Sequence, residues 1–111
     1  MADLSQGEVL LAWLVFSDGQ GSKRRPVLVV HDFGDDDLLV VPVTSHPART
    51  VSDVAVAKWK EAGLKLPSTI RVDKLATVGK KCVERNLGRL GPEDLKKFKE
   101  ALALVCREIV A

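Results

Sequence analysis

The chain has 111 residues, of which 46% are hydrophobic, and 17 Lys and Arg stand against 15 Asp and Glu for a net charge of +2. This is enough apolar material for a core and too much for a disordered chain, yet no apolar run approaches the roughly 20 residues that span a bilayer. The length fits one domain over residues 1–111. Cys82 and Cys106 suit neither a disulfide framework nor a metal cluster.

Met1 to Gly7 lacks the basic-then-apolar order of a signal peptide, which points to the cytoplasm. Gly7 to Phe16 reads as a first strand whose nearly continuous apolar run predicts partial burial on both faces. Ser17 to Arg25 reads as a loop, with Asp18-Gly19 and Gly21 as turn signals. Val27 to His31 and Leu38 to Val43 are β-branched strands joined by the polar stretch Asp32 to Asp37. The triple aspartate there is a solubilising turn, since three consecutive side chains cannot all face one cation. The pattern breaks at His46-Pro47. Val54 to Ala57 reads as a short strand, Lys58 to Ala62 as a helical turn stopped by Gly63, and Thr69 to Val72 as a strand introduced by Pro67-Ser68. Asp73 to Thr77 turns again, and Val83 to Leu90 is the last strand.

Pro92 at a first helical position, followed by Glu93 and Asp94 where the helix dipole favours acids, starts a helix. Leu95, Phe98, Leu102, Val105 and Ile109 recur at spacings of three and four and predict a face packed on the sheet. Cys106 falls in this apolar pattern and reads as buried packing, whereas Cys82 is open. Short strands, tight turns and one terminal helix predict a small, strongly bent antiparallel sheet or barrel.

The charge is uneven. Residues 1–57 carry four basic residues against eight acidic ones, and residues 58–111 carry thirteen against seven. A basic half attracts a polyanion by counterion release, or it is an ordinary solvated helix face. The most informative stretch is Gly21-Ser22-Lys23-Arg24-Arg25-Pro26, which runs into Val27-Leu28-Val29-Val30. Pro26 disfavours helix at Arg25 and holds it extended. A guanidinium held at a strand end suits a phosphate, because its planar fork donates two parallel hydrogen bonds. On spacing alone, Lys23 to Arg25 are equally read as solvated loop charges.

Five segments in register resemble the PemK/MazF toxins of bacterial type II toxin–antitoxin systems. They are Gly7-Glu8-Val9, the glycine-containing loop into Arg25-Pro26-Val27-Leu28-Val29, Val40-Val41-Pro42-Val43-Thr44-Ser45, Ile70-Arg71-Val72-Asp73-Lys74-Leu75, and Leu87-Gly88-Arg89-Leu90 before the helix. The resemblance implies a mainly β fold with short helices, an SH3-like small barrel with a C-terminal α-helix. It implies a homodimer with the groove built across its two-fold axis, and cleavage of single-stranded RNA without metal or cofactor. The products would carry a 2′,3′-cyclic phosphate and a 5′-hydroxyl. It also implies an antitoxin whose acidic, partly disordered segment occupies the RNA groove.

Such a reaction needs a base for the ribose 2′-hydroxyl, a donor for the leaving 5′-oxygen, and cations for the growing phosphate charge. By the resemblance, Arg25 binds phosphate and stabilises the transition state, and Thr44 orients the scissile phosphate. Asp73 is the general base and Arg71 the acid or phosphate clamp. Lys23, Arg24, Ser45 and His46 are candidate RNA contacts. Arg71 and Asp73 lie two apart on an extended segment, so they are expected to share a face, with Arg71 keeping Asp73 ionised. A surface ion pair accounts for the same spacing. Two departures from the family stand out: no histidine between Ser17 and Arg24, and Gly79 where many members carry an aspartate. The missing histidine favours a second reading, a non-catalytic module of the same fold that binds RNA or a protein such as DNA gyrase, as CcdB toxins do. A domesticated scaffold is a third.

Overall fold

The computed structural model describes residues 4–15 and 22–111. Its strands are β1 (Glu8–Val15), β2 (Ser22–His31), β3 (Asp37–Thr44), β4 (Asp53–Ala55), β5 (Thr69–Arg71), β6 (Ala76–Gly79) and β7 (Val83–Arg89), followed by one helix, α1 (Pro92–Val110). A single 3-10 turn over Lys80–Cys82 links β6 to β7. The described pairings are all antiparallel, in the order β4-β5-β3-β2-β1-β7, with β6 also on β3.

The sheet is strongly bent rather than a closed barrel: β4 and β7 are its two ends and are not paired with each other. The bend comes from β3. Its first half, Asp37 to Val40, pairs with β6, and its end, Val43 and Thr44, pairs with β5. One long strand thus serves two neighbours at different heights, and the sheet folds over between them.

Side chains alternate across a strand, so a continuous apolar run has to fill two cores. Val9, Leu28, Val30, Val41 and Val43 face one cluster, which is closed by Ile70, Val72 and Phe98. Leu10, Ala12, Val27, Val29, Leu38 and Val40 face the other, closed by Val78. This is why the apolar runs of β1, β2 and β3 do not alternate with polar residues.

The helix begins at Pro92 as expected, but Asp94 does more than meet the helix dipole. Its fully buried carboxylate accepts the backbone N–H groups of Ala57 and Lys58 at 3.0 and 2.9 Å. This clamps the 57–63 turn to α1. Within that turn the N–H of Ala62 donates to the Lys58 carbonyl, and Gly63 ends it at φ +88. A Cβ on Gly63 would lie 1.9 Å from the Leu87 carbonyl oxygen, so the turn presses directly on the β7 backbone.

Several expectations are corrected. The helix buries Phe98, Ala101 and Val105, but Ile109 is 65% exposed and Cys106 is exposed. The buried stripe ends at Val105, and the last turn extends past the core. The second strand starts at Ser22, not Val27, because β1 pairs with it through Leu14↔Lys23 and Trp13↔Arg24; the ladder overrides the weak strand preference of charged residues. Val72, read as strand, turns instead; of the stretch Asp73 to Thr77 read as a turn only Asp73 turns, and Ala76–Gly79 forms β6 as a short edge strand with one buried residue, Val78. Phe16 and the loop from Ser17 to Gly21 lie outside the described residues. Among the described residues, no helix is long and apolar enough to cross a membrane.

Candidate functional site

Two prolines shape the site. Pro26 in β2 and Pro42 in β3 have no N–H to donate, and the β2–β3 ladder stops at the pair Val27↔Pro42. Arg25 and Thr44 each lie two residues beyond that last pair. Beyond the last pair the chains are free to part, because Thr44 leaves β2 and pairs with Thr69 of β5.

A groove of about 550 Å³ opens there. The β1–β2 side contributes Leu11, Leu14, Arg25 and Pro26, and the end of β3 contributes Pro42, Thr44, Ser45 and His46. A further wall is the segment from Gly63 to Leu66, and Arg85 and Leu87 line the groove from β7, beside β1. That wall is held by the Asp94 clamp and by the close approach of Gly63 to β7. The groove therefore has an apolar floor with three cations, Arg25, Lys65 and Arg85, at its rim, and hydroxyls from Thr44, Ser45 and Ser68. Among the described residues, none of its lining side chains is acidic. Such a surface suits an anionic, partly apolar strand.

Thr44 Oγ1 accepts the backbone N–H of His46 at 3.2 Å. This turn holds the hydroxyl in place and leaves its proton available to a ligand oxygen. Arg25 is exposed at the strand edge, and its Nη1 donates to the Arg24 carbonyl at 3.4 Å.

Of the eight residues singled out from the sequence, four meet in this groove: Arg25, Thr44, Ser45 and His46. Lys23 and Arg24 lie on β2 but do not line it. Arg24 Nη1 is 2.8 Å from Glu84 Oε2, and its guanidinium sits 5.6 Å from the centre of the Trp13 ring. Arg71 and Asp73 do not line the groove either, and the expected shared face is corrected. β5 ends at Arg71, and the N–H of Lys74 donates back to the Arg71 carbonyl, so the chain turns before Asp73. Arg71 Nε instead bonds Asp53 Oδ1 across the β4–β5 pair at 3.1 Å. Burial pushes the Asp53 carboxyl up. The Arg49 N–H at 2.8 Å, the Arg71 charge and the Thr50 N–H outweigh it, leaving Asp53 below the ordinary carboxylate value.

Sequence reasoning missed Lys65 and Arg85. Both belong to the basic half of the chain, but that signal is shared by eleven other basic residues and does not single them out. Among the described residues, no three His, Cys, Asp or Glu side chains are grouped to hold a metal ion.

A family model described as PemK-like, MazF-like toxin of type II toxin-antitoxin system matches residues 5–106. Similar solved structures include a mycobacterial endoribonuclease in complex with its cognate antitoxin, at 21% identity and TM-score 0.76, covering 93% of this chain and 94% of that one. The Mycobacterium tuberculosis toxin MazF-mt6 is 23% identical at TM-score 0.74, with coverage of 90% and 96%. A MazE–MazF structure from Deinococcus radiodurans is 20% identical at TM-score 0.67, with coverage of 96% and 97%. At these identities the structural likeness is one of fold. No curated protein matches the sequence significantly.

Proposed function

Because this chain belongs to the PemK-like, MazF-like toxins of type II toxin–antitoxin systems, we propose that it is an endoribonuclease that cuts single-stranded RNA by attack of a ribose 2′-hydroxyl on the adjacent phosphate. The observation that supports this is that Arg25 and Thr44 both line a cationic groove just beyond the last pair of the β2–β3 ladder.

In this reading the groove seats a bent ribose-phosphate. Arg25 binds the scissile phosphate and stabilises the charge that grows on its oxygens, and the Thr44 hydroxyl orients it. Lys65 and Arg85 hold flanking phosphates, which accounts for a salt-dependent affinity. The nucleophile is already on the substrate, so positioning supplies much of the acceleration and no step calls for a cofactor. Two assignments of the base are distinguishable. His46 lines the groove within one chain, and imidazole is suited to proton transfer near neutral pH. Asp73, with Arg71 as clamp, serves only if a homodimer carries the pair to the facing subunit's groove. The same rim of three cations fits an acidic, partly disordered antitoxin segment, which competes with RNA for the site. The setting is the cytoplasm.

The test is cleavage of a mixed-sequence RNA by the purified protein in EDTA, with analysis of product ends. Cleavage that leaves cyclic phosphates, survives chelation and is lost in Arg25→Ala supports the enzyme. His46→Ala and Asp73→Asn then identify the base. The second reading, a non-catalytic binding module, is favoured by the absence of a carboxylate among the described lining residues. Tight RNA binding without cleavage, unchanged in Arg25→Ala, would establish it.

A further inference from the structure

One exposed aromatic lies beside the groove and has no part in the reaction above. Trp13 of β1 is 45% exposed although it sits in the middle of an apolar strand. It pairs across β1–β2 with Arg24, whose guanidinium lies over its ring at 5.6 Å. The next same-face pair along these strands is Leu11↔Pro26, and both of those residues line the groove. Two residues of strand separate the pairs by roughly 7 Å, about the reach of one nucleotide step. The guanidinium is also held by Glu84. The β1–β7 register shifts between Leu11↔Arg85 and Ala12↔Val83, leaving Glu84 as an extra residue whose carboxylate meets Arg24 at 2.8 Å.

We propose that Trp13 and Arg24 form a base-stacking subsite for single-stranded RNA, continuing the groove past Leu11 and Pro26. The subsite rests on the RNA reading above. Because Glu84 already meets its charge, Arg24 is a poor phosphate clamp. Its plane and the indole together present a π surface on which an unstacked base packs whatever its identity. Phosphate contacts then belong to Arg25, Lys65 and Arg85, and base contact to Trp13 and Arg24. An apolar peptide segment would also cover an indole, but continuity with the cationic rim favours a strand whose phosphates run along it.

The test uses the full chain carrying Trp59→Phe, so that emission reports Trp13 alone. Two probes of equal length are titrated: a 2′-O-methyl RNA oligomer, which lacks the attacking hydroxyl and so stays intact, and its abasic counterpart. Binding is read by quenching and, independently, by anisotropy of a labelled oligomer. The subsite predicts quenching by the base-bearing oligomer. It predicts about tenfold weaker binding in Trp13→Ala, with most of the loss recovered in Trp13→Phe. The abasic oligomer should bind the parent and Trp13→Ala alike. Unchanged affinity of Trp13→Ala for the base-bearing oligomer would overturn the subsite alone. Quenching by an acidic peptide and not by RNA would overturn it in favour of a protein contact. Failure of the unaltered protein to bind RNA would remove the subsite together with the nuclease reading.

Discussion

Arg25 and Arg71 look alike in the sequence: each stands in an extended segment, close to residues that a phosphate-cleaving site could use. The structure treats them differently. Arg25, paired with Ala12 of β1, lies just past the end of the β2–β3 ladder and lines an open groove that Thr44 also lines. Arg71 is the last residue of β5, paired with Asp53 at the end of the β4–β5 ladder, and its guanidinium bonds the fully buried Asp53 side chain. The difference teaches that a strand-borne arginine can line a groove where its cross-strand neighbour is not a carboxylate, as Arg25 does opposite Ala12. It becomes structural when the register supplies one. Neither condition is visible from residue type or from spacing along one strand.

The largest expected effect that separates the two regions is Arg25→Ala. Removing a donor aimed at developing charge costs about 100-fold to 1,000-fold in rate, here read as RNA cleavage, while the melting temperature should hardly move. Equal activity in the variant would deny Arg25 its part. Arg71→Ala should do the reverse to stability. It strands a buried carboxylate and is expected to cost about 3 kcal/mol in urea unfolding, with Asp53→Ala in the same background restoring part of it. A stable Arg71→Ala protein that fails to cut RNA would instead place Arg71 in catalysis.

Acid should weaken the Asp53 side of the comparison. Its folded carboxyl is held below the ordinary value, so its contribution is present above the unfolded pKa and fades as pH falls through the folded one. Asp32 behaves likewise. The Leu4 N–H, then Lys80 at 2.9 Å and the Gly34 N–H, lower it from 3.8 to about 2. The urea midpoint should therefore decline between those two values, and Asp32→Asn should flatten the decline. The smallest effect is Glu84→Gln. Arg24–Glu84 is largely exposed, and such pairs contribute about 0–1 kcal/mol, so stability should stay within about 1 kcal/mol of the parent. A larger loss would mean that the Glu84 charge, and not the bulge alone, holds β7 in place.

Much of the fold was legible. The β1 to β3 meander followed from apolar runs and turn residues, and the start of α1 from Pro92 and its acids. The paired charges of β2 were read as loop because strand preference is weak for Lys and Arg; only β1 alongside them makes a ladder. β6 escaped notice because a four-residue edge strand with one buried side chain leaves almost no pattern. At the site, Arg25 was found from a local signal, the proline that follows it, whereas Thr44, Ser45 and His46 came from the resemblance to the family. Lys65 and Arg85 were not found, since the chain brings them to the groove from afar.

Local chemistry by itself determined most of the strands and the helix start, because propensity and side-chain alternation act over a few residues. Tertiary structure alone decided which side chains share a groove. Cross-strand register, two prolines that end a ladder, a glycine pressed on β7 and a buried Asp94 clamp are contacts between residues far apart in the chain. The same long-range pairing gave Arg71 to Asp53 and left Arg25 at the open edge.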